Sequence, residues 1–352
     1  MTELVITGAG AIRPQRTEVP AGDRPMPVTE AFLARDFDPV ALLGRKTTRF
    51  NHRTSQLALA ACGAALDDAG LTVTDEVRDM VGVTLGTACG SLTGAVDFGW
   101  DTFAEQLPYH VNPATFPNLV INTAAGAVAI KYGLRGANST VAGGPLAGLS
   151  ALRHAAVTLR AWHADTVLVG AAEEFSAPNA WHAYAVRPDA VPGEGAAVFV
   201  LERADVAHEA GRTPLARVGA VLTRTTDVRD PAMIRDAVRD ALSAARTDAS
   251  AVRAVALRTT GDAEVDTAQR TGLAEMLSQA AIDSAERMGD CYCAHAALQL
   301  ADLLDAAREW VDGDAGIVLG VDPDGALAVA VLSGSSASSD PLSDTRSSEE
   351  TR

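Results

Sequence analysis

Four cysteines and seven histidines carry the nucleophilic and general-base chemistry open to this chain. Cys291 and His295 stand four residues apart, which places them on one face if a helix runs through both. A thiol beside an imidazole is the arrangement of a cysteine nucleophile activated by a base. Cys89 sits in a glycine turn and is a second candidate thiol, so an atypical acyltransferase is one reading of the chain. Nothing in sequence marks an oxyanion hole for either thiol. Cys291 and Cys293 are too close together for zinc-ribbon spacing and Cys62 falls in a helical pattern, so free or buried thiols are expected, with no metal and no cofactor. Gly8-Ala9-Gly10 follows an apolar run as a dinucleotide-binding turn does, but Arg13 occupies the place of the third glycine. No acidic residue ends a second strand at the right distance, and nucleotide binding is not expected.

The stretch 136–174 has the layout of a catalytic elbow: a β-rich run, a glycine turn, an abrupt helix and a second apolar strand. Exposed N–H groups and the helix dipole favour a thiolate at the first turn of such a helix. The corner reads Gly143-Gly144-Pro145, and proline at a first helical position also has a plain conformational reason, its fixed φ and its dispensable N–H.

Around the corner, residues 3–7 read as a buried strand entering a turn at Gly8-Ala9-Gly10, 54–69 as an amphipathic helix, 81–87 as a strand, 94–106 as a helix and 116–132 as one apolar helix. A helix over 146–162 is followed by strands near 165–170 and 195–201. The same succession recurs with a helix over 294–310 and strands near 314–320 and 326–332, as a duplicated α/β unit gives. The expected organisation is two halves, 1–205 and 206–333, joined near 204–213, with a disordered tail over 334–352 that lacks apolar anchors.

With 352 residues and 47% apolar content the chain can bury a large core. It contains no apolar run long enough for a membrane span and no leader-like segment, so a cytoplasmic location and no membrane association are expected. A net charge of −16 opposes nucleic-acid binding and the unaided docking of an acidic protein. The cluster Arg45, Lys46, Arg49 and Arg53 is the one local exception, either a docking patch or a solvated helix face.

The segments LVITGAGAIRP, FPNLVINTAAGAVAIKYGLRGANSTV, HADTVLVGAAEE and GEGAAVFVLE together resemble the β-ketoacyl synthases of the thiolase superfamily. The resemblance extends over about residues 1 to 332 and is clearest over 81–203. It implies an α/β, thiolase-like fold of two pseudo-duplicated halves in five αβαβα layers. It also implies that the family's nucleophilic cysteine falls at Pro145, its first catalytic histidine at Arg258 and its second at Asp290. Proline offers no nucleophile, and arginine stays protonated and cannot serve as a base. An aspartate at the third position repels a malonyl carboxylate or a developing enolate. The family's glycine-rich loop near the C-terminus is replaced by 319–325, LGVDPDG.

Such losses resemble those of the chain-length factors of type II polyketide synthases, which pair with an active ketosynthase subunit. The resemblance implies a heterodimer that includes Thr123, Ala124, Asn138 and Thr140 at its interface, and an acyl carrier protein docked mainly through the partner. It further implies an acyl tunnel closed by one helical face bearing Val96, Gly99 and Phe103. These three lie at i, i+3 and i+7, and the same spacing is equally consistent with a face packed in the chain's own core. Chain-length factors usually carry glutamine at the lost cysteine, so Pro145 departs from their pattern. A partner that only stabilises a ketosynthase is the third reading.

Overall fold

The computed structural model describes residues 2–20, 22, 24–283 and 286–334. Strand β1 (Leu4–Ile12) is followed by a small hairpin, β2 (Gln15–Glu18) and β3 (Glu30–Leu33), and by helices α1 (Pro39–Leu43), α2 (Arg45–Phe50) and α3 (Arg53–Asp68). Then come β4 (Val81–Thr87), α4 (Leu92–Ala104), α5 (Thr123–Tyr132), β5 (Asn138–Ala142), α6 (Ala147–Arg160), β6 (Thr166–Glu173), α7 (Ala177–Val186) and β7 (Gly195–Arg203). After α8 (Ala204–Glu209) the chain forms β8 (Ala216–Thr225), α9 (Pro231–Ala245), β9 (Val252–Leu257), α10 (Ala263–Ala274), β10 (Ala281–Asp283), α11 (His295–Ala307), β11 (Ala315–Val321) and β12 (Ala326–Gly334).

Ten of these strands form one mixed sheet in the order β10-β9-β11-β12-β8-β1-β7-β6-β4-β5. The centre is the antiparallel pair β1 and β8, with Val5 opposite Arg217 and Ile6 opposite Ala216. Outward from that seam, both sides run through the first, fifth, fourth, second and third strand of their own half. The helix–strand–strand succession repeated in the sequence is thus α6-β6-β7 on one side and α11-β11-β12 on the other, each strand pair antiparallel.

Three apolar clusters explain the layering. α6 and α11 pack together between the two halves of the sheet, against β6 and β7 on one side and β8, β11 and β12 on the other. The alanine-rich α3 and α5 cover the outer face of the first half, and α9 and α10 that of the second. Helix, sheet, helix, sheet and helix therefore alternate, because strands such as β6, β7 and β11 are buried along their whole length and need a partner layer on each face.

The structure departs from the sequence expectation at two places. Gly8-Ala9-Gly10 is not a turn: β1 runs through it to Ile12. A Cβ at Gly10 would stand 2.1 Å from the carbonyl oxygen of Ala61, and one at Gly8 2.4 Å from that of Ala65. Glycine is required because the backbone of α3 lies directly on the strand. Gly10→Ala is accordingly expected to cost about 3 kcal/mol, the upper end of overpacking, since backbone on both sides cannot yield. A urea midpoint unchanged from the parent would contradict this packing.

Nor is 116–132 a single helix. A 3₁₀ segment, Pro113–Leu119, contains Pro117, which has no N–H to donate, and the chain turns at Val120 before α5 begins. The Thr123 hydroxyl secures that turn by donating to the carbonyls of Val120 and Pro117. The expected tail lies outside the described residues except Gly334, which ends β12. Among the described residues no helix is long and apolar enough to cross a membrane.

Candidate functional site

At the elbow, β5 ends at Ala142 and the chain passes through Gly143 into a short 3₁₀ turn, Gly144–Leu146, before α6 starts at Ala147. Gly144 takes a φ of +57°, a conformation that disfavours a side chain, and the buried ring of Pro145 follows it. The strand, glycine turn and helix follow one another as the sequence predicts, with the pyrrolidine of Pro145 at the corner.

Arg258 follows β9 and Asp290 lies on the approach to α11, and the two form a buried ion pair. Arg258 Nη2 donates to both Asp290 oxygens, at 3.0 and 3.1 Å. A third member was not legible in the sequence: Arg187, at the C-terminal end of α7, donates through Nη1 to Asp290 Oδ2 at 2.8 Å. The Tyr292 N–H donates to Asp290 Oδ1 at 3.0 Å. Burial pushes the Asp290 carboxyl up, but Arg258 and Arg187 outweigh it and hold the group at about 2. This carboxylate accepts from fixed donors and has no base function to offer at neutral pH.

The thiol candidates are not activated by geometry. Cys291 precedes the helix instead of sharing a face of it with His295. Its thiol donates to the carbonyls of Met288 at 3.2 Å and Glu194 at 3.5 Å, and burial followed by Asp290 pushes it well above the usual thiol range. His295 is buried and neither ring nitrogen has a partner among the described residues. Burial, reinforced by Arg258, lowers it to about 4, so it is neutral. Cys89 is half-buried and pushed up to about 11 by burial, then by Glu173 and Glu174. Glu173 is itself raised to about 7 by burial, although the Cys293 thiol donates to it at 3.0 Å. Thiolate is disfavoured at each of these three cysteines.

The face of α4 that carries Val96, Gly99 and Phe103 does not pack in the chain's own core. Val96 is 44% and Phe103 87% exposed, and a Cβ on Gly99 would meet nothing within 4 Å. Val96 shares an apolar groove with Trp100, Trp181 and Pro178. Among the proposed interface residues, Ala124 is buried on the core-facing side of α5 while Asn138 is exposed on β5, the sheet's edge strand, which among the described residues pairs only with β4. The Thr140 hydroxyl on the same strand has no partner among the described residues. The basic cluster is smaller than expected: Arg45, Lys46 and Arg49 are exposed, but Arg53 is paired with Glu194 at 2.6 Å and stacked over Phe37.

The N-terminal domain model of β-ketoacyl synthases matches residues 7–207. The chain is 29% identical to the tetracenomycin polyketide synthase ketoacyl synthase beta subunit of Streptomyces glaucescens, over 88% of this chain and 86% of that one. It is 32% identical to the 3-oxoacyl-(acyl-carrier-protein) synthase 2 of Vibrio harveyi over 51% of this chain and 48% of that one. Across three such synthases the match spans 48%, 61% and 50% of their length, about half. Among solved structures, the ishigamide ketosynthase/chain length factor is similar with a TM-score of 0.85 and 33% identity, covering 95% of this chain and all of that one.

Proposed function

Because this chain belongs to the β-ketoacyl synthase family and has its thiolase-like fold, we propose that it is a non-catalytic, chain-length-factor-like subunit. In this role it pairs with an active ketosynthase and shapes that partner's acyl tunnel in type II polyketide biosynthesis. One observation carries the reading. Where the resemblance places the family's cysteine and two histidines stand Pro145 and the Arg258–Asp290 ion pair, a ring and a fixed pair of opposite charges in place of groups that would attack a thioester and move protons.

The partner is an active ketosynthase, bound through a surface that includes Thr123, Ala124, Asn138 and Thr140. In favour of this surface are the free hydrogen-bonding edge of β5 and the exposed apolar side chains of Val120, Ile121 and Ile130 nearby. The carrier protein docks mainly through the partner, since the net charge of this chain opposes an acidic visitor.

Co-expression with a cognate ketosynthase tests the pairing. The expected result is a stable 1:1 complex in size-exclusion chromatography, with an interface of roughly 2,000 Å² or more. A soluble, stable monomer that ignores the ketosynthase in pull-down contradicts it.

A further inference from the structure

The elbow, the end of β9 and the loop after β11 enclose a cleft of about 780 Å³. Its inner wall carries Arg187 and Arg258, each of which spends only one edge on Asp290. Beyond those bonds neither guanidinium has a hydrogen-bond partner among the described residues: both side chains line the cleft, and Arg258, only 3% exposed, keeps its Nε buried and unpaired. The buried Thr259 hydroxyl, also on this wall, is likewise unpartnered. Asp266 acts on Arg187 from further off, but its oxygens already accept from Thr260, Gly261 and Gln269. Two guanidiniums with free N–H groups, facing the same space, match the planar oxygens of a carboxylate.

The mouth has the opposite character. Asp189, Asp322 and Asp324 line it with no cationic partner among the described residues, whereas Asp262 is neutralised by Arg229 at 2.6 Å. A polyanion is repelled there, and a ligand that is anionic at one end and neutral or cationic at the other is admitted.

We propose that this cleft binds a small carboxylate, its oxygens held by the free edges of Arg187 and Arg258 and its far end, neutral or cationic, lying among Asp189, Asp322 and Asp324. The lost catalytic site would thereby have become a binding site. This is independent of whether the chain shapes a partner's tunnel.

Isothermal titration of the full-length chain with acetate, 4-aminobutyrate and inorganic phosphate tests the assignment. Acetate and 4-aminobutyrate bind, the zwitterion more tightly, and phosphate binds more weakly than acetate. Arg187→Gln weakens both carboxylates about tenfold or more, the loss of charge-assisted hydrogen bonds. The double change Asp322→Asn, Asp324→Asn strengthens acetate and abolishes the advantage of 4-aminobutyrate, which keeps the test decisive if circular dichroism shows that Arg187→Gln does not fold. No heat from either carboxylate at tens of millimolar, unchanged binding by a folded Arg187→Gln, phosphate tighter than acetate, or a double variant that binds as the parent does would overturn it.

Discussion

Asp290→Leu is expected to destabilise the chain by about 3–5 kcal/mol, the cost of leaving a buried charge unpaired. Arg258 is 3% and Arg187 20% exposed, and both point their donors at this one carboxylate. Arginine cannot escape by losing its proton, so the variant must bury two uncompensated cations, admit water or open the loop that carries Arg187. Replacing all three together, Asp290→Leu with Arg258→Met and Arg187→Met, is expected to restore much of the loss, because no charge then remains to desolvate. Urea denaturation of the single and triple variants reads both effects. A single variant within about 1 kcal/mol of the parent would mean that water solvates the arginines freely. The pH dependence has a fixed sign. The carboxyl is lowered to about 2 in the fold, so its contribution is complete above the ordinary carboxylate range, falls away progressively below that range and is gone once pH drops past about 2.

Much of the architecture was readable from period and composition. β6, β7, β11 and β12 are unbroken apolar runs bounded by glycine and charge, and their repetition after α6 and α11 gave away the duplicated order. The glycine corner before α6 was equally plain. What failed depended on neighbours distant in sequence. Gly8 and Gly10 are signals of a turn taken alone, and only the presence of α3 shows that they make room for a helix. The apolar composition of 116–132 conceals the break after Pro117. Arg187 carries no local mark, because its significance comes entirely from a carboxylate 103 residues away. Likewise the spacing of Cys291 and His295 suits a shared helical face, but the helix begins only at His295.

Gly99→Trp is expected to shorten the polyketide made by the reconstituted pair by at least one extension unit while leaving the heterodimer intact. The position has open space above it on an exposed helical face, so the indole is accommodated without disturbing the chain's own core. Once a partner covers that face, the added volume intrudes on whatever channel lies between the subunits, and packed interiors do not yield even to a methylene. Phe103, 87% exposed in the chain alone, supplies the converse: Phe103→Ala is expected to lengthen the product or broaden its distribution. Mass spectra of the released products decide it. Identical products from Gly99→Trp and the parent would remove α4 from the tunnel and leave a partner that only stabilises its ketosynthase.

Intact-mass analysis of both subunits tests the central claim most directly, after the reconstituted pair has been incubated with acyl-loaded and malonyl-loaded carrier protein. The account predicts an acyl adduct on the partner ketosynthase alone, no adduct on this chain, and ketoacyl product only when both subunits are present. An acyl group covalently held by this chain, on Cys89, Cys291 or any other side chain, or product formed by this chain without a partner, would contradict it.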